Sequence, residues 1–207
     1  MKKHIVMGLL VLCVLWSAGT AFAGVSVGAK LWYADTDGAD DPASLIGPTL
    51  SLDLGETSWL SITYLKGRYK FGNGLVKIDK TDADAILGIT ASVFDLGVGV
   101  RYSIWEFGVE GLAEKEELVM WGPMAYVGLG DVFGGGPLGW YLAGSYMFKD
   151  FGDWDDEPWD AAEHWNVEGG LFFSHERVSV SAGYRRKEFI HYNDEFTGLT
   201  ASVSLRF

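Results

Sequence analysis

Apolar and polar residues alternate one for one along most of this chain. In the last stretch Leu199, Ala201, Val203, Leu205 and Phe207 alternate with Thr200, Ser202, Ser204 and Arg206. A period of two gives a strand one apolar and one polar face. Val25, Val27, Ala29, Leu31 and Tyr33 stand in the same way against Ser26, Gly28, Lys30 and Trp32. Leu96, Val98, Val100, Tyr102 and Ile104 do so against Gly97, Gly99, Arg101 and Ser103. Similar segments begin near Leu50, Leu60, Leu87, Met120, Trp140, Trp165 and Val178, which predicts ten strands. Each is about the 9–11 residues that a tilted membrane strand needs.

The charges decide which face is which. Lys30, Asp53, Asp84, Arg101, Glu168, Arg185 and Arg206 all take the polar parity of their strands. A charge on a lipid-facing side near mid-bilayer costs roughly 2–4 kcal/mol, so these seven residues are expected to line an enclosed lumen. Lys66 breaks the parity at a strand end, where its stem can reach the interface. Trp32, Tyr33, Trp59, Trp105, Trp121, Trp140 and Trp165 lie near segment ends and are expected to form interfacial belts.

Connections alternate in length. Gly55 to Ser58, Phe94-Asp95, Asp131 to Pro137 and Ser174 to Arg177 are short. Asp35 to Ile46, Gly67 to Asp82, Gly111 to Glu117, Lys149 to Ala161 and Lys187 to Glu195 are longer and charged. Short turns on one side and long loops on the other predict an outer-membrane arrangement with both termini periplasmic and an even strand number. Open sheet edges are not tolerated in hydrocarbon, so the sheet must close. The expected fold is all-β, a closed antiparallel transmembrane β-barrel of ten strands, with eight the nearest alternative.

Composition adds a compartment. Lys2 and Lys3, the apolar run from Ile5 to Trp16 and the A-x-A pattern of Ala21-Phe22-Ala23 predict a secretory signal peptide over residues 1–23. The barrel domain is then expected to span residues 24–207. The one cysteine, Cys13, lies in the signal segment, and Leu12 before it is not the small residue a lipoprotein needs. Without Lys2 and Lys3, 14 basic residues stand against 28 acidic ones, a formal charge of −14. Nucleic acid is therefore excluded as a partner, because phosphate binding needs clustered Lys and Arg.

The final alternation ending in Leu205 and Phe207 resembles the C-terminal insertion signal of bacterial outer-membrane proteins. That resemblance implies the barrel-insertion machinery as a partner, with outer-membrane lipid and lipopolysaccharide around the product. The whole of residues 24–207 resembles the small single-domain barrels of the porin-like and OmpW-like superfamily. Gly47-Pro48 and Gly122-Pro123 each open a strand that ends in Leu-Gly, at Leu54-Gly55 and Leu129-Gly130. The likeness implies a fold and a compartment and no activity.

Three constellations carry candidate chemistry. The seven lumen charges either neutralise one another in a packed, structural interior or line a narrow channel for small solutes. Ten strands sit close to the size at which side chains fill the interior. The acidic loops are the second. Asp35, Asp37 and Asp40 suggest the oxygen-rich start of a calcium loop, without its closing glutamate, since Ile46 stands there. Asp153, Asp155 and Asp156 crowd another loop beside Trp154 and Trp159. Both loops are expected to bind divalent cations at most, and a surface-binding protein is the alternative function. The loop bearing Lys66, Arg68, Lys70, Lys77 and Lys80 is basic and suits lipopolysaccharide phosphates or the acidic loops. The third is enzymatic. Asp82 and Asp84 lie two apart on one face, as in half of an omptin-type protease site, but Glu163-His164 and His191 with Asp194 do not supply the other half. Ser174, His175 and Glu176 are adjacent, so their side chains alternate faces and cannot form a triad. With three histidines and no cysteine after residue 23, no metal or other cofactor is expected. The chain is not expected to be an enzyme.

Overall fold

The computed structural model describes residues 24–112, 115–148, 151–154, 157–159, 163–190 and 194–207. The expected signal segment 1–23 and the loop carboxylates Asp155 and Asp156 lie outside the described residues. The strands are β1 (Gly24–Thr36), β2 (Ala43–Asp53), β3 (Ser58–Phe71), β4 (Val76–Ala91), β5 (Phe94–Val109), β6 (Lys115–Val132) and β7 (Leu138–Met147). They continue with β8 (Gly152–Trp154), β9 (Glu157–Trp159), β10 (His164–His175), β11 (Val178–Phe189) and β12 (Asp194–Arg206). Ten of them, β1 to β7 and β10 to β12, form an antiparallel barrel in which each pairs with its chain neighbour. The barrel closes where β1 meets β12, from Ser26 opposite Arg206 to Thr36 opposite Phe196.

The remaining two strands cover an edge. β6 runs past the end of β7, which pairs with it only as far as Met124 opposite Met147. The backbone of β6 beyond that point would stand open. The amide of Phe151 donates to the Trp121 carbonyl at 2.7 Å, and β8 then pairs Asp153 with Val119 and Trp154 with Leu118. β9 adds to β8, so the overhang finds a partner.

Parity holds throughout the barrel. Outward residues such as Val98, at 66% exposure, Leu96, Leu142, Leu171, Leu199 and Val203 form an apolar belt. Inward residues include Gly, Ser, Thr and charged groups, with large aromatic residues and a few leucines and methionines packed most densely toward the loop end. The end that carries Gly24 and Phe207 has short turns, and the opposite end carries the longer loops. We call these the terminus end and the loop end.

Strands run further toward the loop end than the hydrophobic alternation suggested. The expected long loop from Gly67 to Asp82 is mostly strand, turning only at Gly72 to Leu75. The turn before β5 lies at Ser92-Val93 rather than Phe94-Asp95. Polar residues continue the β3–β4 ladder because they pair across it. Arg68 faces Asp79 in register, with Nε and Nη2 donating to its two carboxylate oxygens at 2.5 and 2.9 Å. The acidic loop at Asp35–Ile46 likewise shrinks to the residues between Thr36 and Ala43.

Gly198 marks the tightest approach along the closing seam. A Cβ there would stand 1.8 Å from the Tyr33 carbonyl oxygen on β1. Gly198→Val is therefore expected to destabilise the closed barrel by about 1–3 kcal/mol. Ala201→Val, outward on the same strand, should change stability by less than about 0.5 kcal/mol. Urea unfolding of vesicle-inserted protein, read by the heat-sensitive shift in electrophoretic mobility, checks the contrast.

Candidate functional site in the lumen

The lumen is built in layers, each from inward positions of several strands. Nearest the loop end, Trp32 of β1, Leu45 of β2, Leu65 and Tyr69 of β3, Trp105 of β5 and Phe196 of β12 are buried together. Trp105 sits edge-on to Phe189 at 5.4 Å and to Phe196 at 5.5 Å between ring centroids. Tyr69 meets Phe196 at 5.5 Å. Edge-to-face packing of this kind adds about 0.5–1.5 kcal/mol per pair to the burial itself. The cluster fills the bore as a plug.

A lysine stands inside that plug. Lys80 of β4 is 1% exposed, and its Nζ lies 3.5 Å from the centroid of Phe196 and 4.8 Å from that of Trp105. The negative ring faces attract the cation. Its nearest carboxylate is Asp82, at 3.9 Å. Asp82 in turn accepts from Lys187 of β11 at 3.2 Å and from the Ser103 hydroxyl of β5. Two cations thus share one carboxylate beneath the rings.

The next layer holds two tight pairs. Arg101 of β5 forks onto Asp84 of β4 through Nε at 2.7 Å and Nη2 at 2.9 Å, and Nη2 also reaches the Ser145 hydroxyl of β7. Lys30 of β1 donates to Glu168 of β10 at 2.6 Å across the bore, and the Tyr141 hydroxyl donates to the same carboxylate at 3.0 Å. Arg185 of β11 donates from Nε to the Asn166 side-chain oxygen at 2.6 Å, and its guanidinium lies 4.4 Å from the Trp32 ring centroid.

Toward the terminus end the bore opens into a cavity of about 250 Å³ lined by these groups and by Trp59, Tyr126 and Tyr141. Tyr126, Tyr141 and Ala143 also line a second cavity of about 390 Å³ that reaches the turns at Ser92-Val93 and Asp131. The lumen is therefore filled at one end and roomy at the other.

Five of the seven expected lumen residues, Lys30, Asp84, Arg101, Glu168 and Arg185, surround the first cavity. Asp53 and Arg206 also face inward but lie at the terminus-end rim, where they pair at 2.7 Å while partly exposed. Lys80, Asp82 and Lys187 were missed as lumen groups, because their segments read as loops. Extending the parity of Asp84 and Arg185 by two and four residues would have found them.

The belt expectation needs correction. Trp32 and Trp105 are buried in the plug, and Trp59 faces the cavity edge-on to Tyr126 at 5.6 Å. Their parity matches that of Lys30, Asp53 and Arg101 on the polar side, and that parity outweighs nearness to a segment end. Tyr33 and Trp121 are exposed on the outer face as expected, with Trp140 and Trp165 partly so.

Asp35 falls within β1, opposite Thr197, while Asp37 and Asp40 lie in the first loop, where Asp40 accepts from the Asn73 and Gly74 amides at 2.9 and 2.7 Å. The neighbouring loops are joined through these backbone amides. Among the described residues no three carboxylate, histidine or cysteine groups stand close enough to hold a metal ion. Asp82 and Asp84 are each neutralised by a lumen cation. His175, the last residue of β10, and Glu176 in the turn after it are both exposed at the terminus end.

No protein-family model and no curated protein matches the chain. Among solved structures, it is 14% identical to the translocator domain of the autotransporter NalP from Neisseria meningitidis. The TM-score is 0.43, over 99% of this chain and 96% of that one. It is 14% identical to an outer-membrane channel from Pseudomonas putida F1, with TM-score 0.46 over 91% of this chain and 98% of that one. Ail, the attachment invasion locus protein of Yersinia pestis, is 15% identical with TM-score 0.29, over 89% of this chain and 97% of that one. At these levels the likenesses carry no argument about activity, and the barrel's own geometry must do so.

The shared carboxylate generates a direct test. Asp82→Ala leaves Lys187 and Lys80 buried without it and is expected to cost about 3–5 kcal/mol. Replacing both partners, Asp82→Leu with Lys187→Met, should recover part of that loss. Urea titration of the vesicle-inserted proteins measures both. A cost for Asp82→Ala below about 0.5 kcal/mol would contradict this account of the layer.

Proposed function

We propose that the chain is an integral outer-membrane β-barrel, with both termini periplasmic, that serves as a sealed structural scaffold rather than an open porin. The observation that carries the sealed reading is the plug. Trp32, Trp105, Phe189, Phe196 and Lys80 fill the bore with side chains that are 9% exposed or less. Water and ions would have to pass through a packed aromatic layer and then between Lys187, Asp82 and Arg101.

Membrane insertion is supported by the outer surface. Leu96, Val98, Leu142, Leu171, Leu199 and Val203 present an apolar belt far larger than a soluble monomer exposes. The inside carries the charges, which is the polarity of a chain dissolved in hydrocarbon. Closure through β1 and β12 leaves the barrel without an open edge, as hydrocarbon requires. Short turns at the terminus end support the periplasmic placement of both termini. An enzymatic role has no support here, since Asp82 and Asp84 are engaged with cations beneath the plug.

Lipopolysaccharide is the partner that the outer wall suits. Lys66, Arg68 and Lys70 are exposed at alternate positions of β3, outward and just beyond Tyr64. Lys77 faces Lys70 across the ladder. Two acidic residues pair with the row, Asp79 with Arg68 and Glu110 with Lys77. A row of cations immediately beyond the apolar belt lies at the depth of the phosphates in the loop-side leaflet.

Planar-bilayer recording tests the sealed bore. The wild-type barrel is expected to give no steady single-channel steps, and reproducible steps would overturn the reading in favour of a pore. The basic row has its own test. The combined change Lys66→Gln, Arg68→Gln and Lys70→Gln should lower the added unfolding stability that lipid A confers over uncharged-headgroup vesicles by about 1 kcal/mol per removed cation. An unchanged lipid A increment would count against that partner.

A further inference from the structure

We infer that the cavity in the terminus-end half of the lumen is a binding site for a small organic monocarboxylate with an aromatic or apolar body. The inference rests on the barrel reading above for its compartment, and on four observations for its chemistry.

The first is charge. Lys30, Arg101 and Arg185 line the cavity against Asp84 and Glu168, so three cations meet two carboxylates. Two of the cations are matched, Arg101 with Asp84 and Lys30 with Glu168. Among the described residues Arg185 makes no direct ion pair with a carboxylate, although Asp84 and Glu168 line the same cavity, and it is 4% exposed. One negative charge is missing from this layer. A buried cation without a countercharge is costly, and a bound anion supplies it.

The second is an unused donor. Arg101 is 2% exposed, and its Nη1 has no hydrogen-bond partner, although Nε and Nη2 are engaged. Arg101 and Arg185 both line the cavity, and guanidinium groups match carboxylate geometry with two parallel donors.

The third is the apolar part of the lining. Trp59, Ile86, Tyr126 and Ala143 give the cavity an apolar side, with Trp59 and Tyr126 packed edge to face. A ligand with a flat apolar body lies against that side while its carboxylate meets the arginines. The volume of about 250 Å³ lies below the range of drug-sized pockets and limits the body to a single ring or a short chain.

The fourth is access. The second cavity shares Tyr126 and Tyr141 with the first and leads toward the terminus end, where Asp95 lines it. The plug closes the other side. A ligand therefore enters from the terminus end and leaves the same way, which makes this a binding pocket and not a path. The two acidic residues on the route, Asp95 and Asp131, favour one negative charge over two.

Full-length barrel refolded in detergent, with benzoate, benzamide and benzylamine as the test ligands, measures the site through calorimetry, supported by the change in total tryptophan fluorescence. Benzoate is expected to bind saturably and at least about tenfold more tightly than benzamide, with benzylamine weaker than both. Arg185→Gln is expected to weaken benzoate at least about tenfold and leave benzamide unchanged. Should that variant fail to fold, the comparison of the three ligands on the unaltered barrel still decides. A folded, vesicle-inserted barrel that binds benzoate and benzamide alike, or neither, overturns the site and leaves the barrel reading standing. Tighter binding of inorganic phosphate than of benzoate overturns the assignment to monocarboxylates. A chain that stays soluble and never inserts overturns the barrel reading on which the compartment rests.

Discussion

Every backbone amide and carbonyl that enters hydrocarbon must find its partner within the protein. That constraint forces the sheet shut, and closure then dictates the rest. Once β1 pairs with β12 there is an inside and an outside, and the pleat assigns alternate residues to each. On the proposed reading the outside meets an apolar solvent, and the usual distribution of residues is inverted. Leucine and valine go out, and Arg101, Glu168 and Lys30 go in. The overhang of β6 shows the same rule at the loop end, where β8 supplies the partner that β7 is too short to provide.

Closure also sets the size of the interior, and ten strands leave little spare room. What fills it changes along the axis. The half nearer the loops is packed with large rings, and the half nearer the termini combines paired charges, serine and the rings of Trp59, Tyr126 and Tyr141 with space between them. A charged pair in this interior loses its hydration and must recover it from fixed geometry. The forked contact of Arg101 with Asp84 and the Lys30–Glu168 contact do so with short, directed bonds that tie β4 to β5 and β1 to β10. The Lys30–Glu168 contact is as much a staple between non-adjacent strands as a countercharge, whereas Arg101 and Asp84 reinforce one strand pair.

Much of this architecture is legible in the residues. Parity alone placed Lys30, Asp84, Arg101, Glu168 and Arg185 inward, and the count of alternating segments matches the ten barrel strands. The strand ends were less legible. Hydrophobic alternation stops where the belt stops, whereas the ladder continues as long as pairs such as Arg68 and Asp79 hold it together. Lys80, Asp82 and Lys187 were lost to supposed loops for that reason. Trp32 and Trp105 show a second limit. A tryptophan near a strand end suits a headgroup belt and a lumen plug equally by position, and only its parity separates them. Trp32 shares the parity of Lys30, so the information was present. The plug itself was not, because it depends on which inward residues of β1, β3, β5, β11 and β12 arrive at one height, and that follows from stagger around the closed sheet.

The position of Lys80 shows how far this interior departs from a soluble core. A lysine at 1% exposure among four rings would be destabilising in isolation. Here its stem packs as a hydrocarbon, while the ring faces and a carboxylate at 3.9 Å share its charge. A purely apolar plug would fill the same space, but it would make no directional contact with the layer below. Lys80 and Lys187 converge on Asp82, so the aromatic layer is registered against the charged layer through that one carboxylate. Sealing and charge pairing are therefore not two separate devices stacked in one tube. Loosening the rings would expose Lys80, and removing Asp82 would leave two cations beneath them, so each layer is stable only with the other in place.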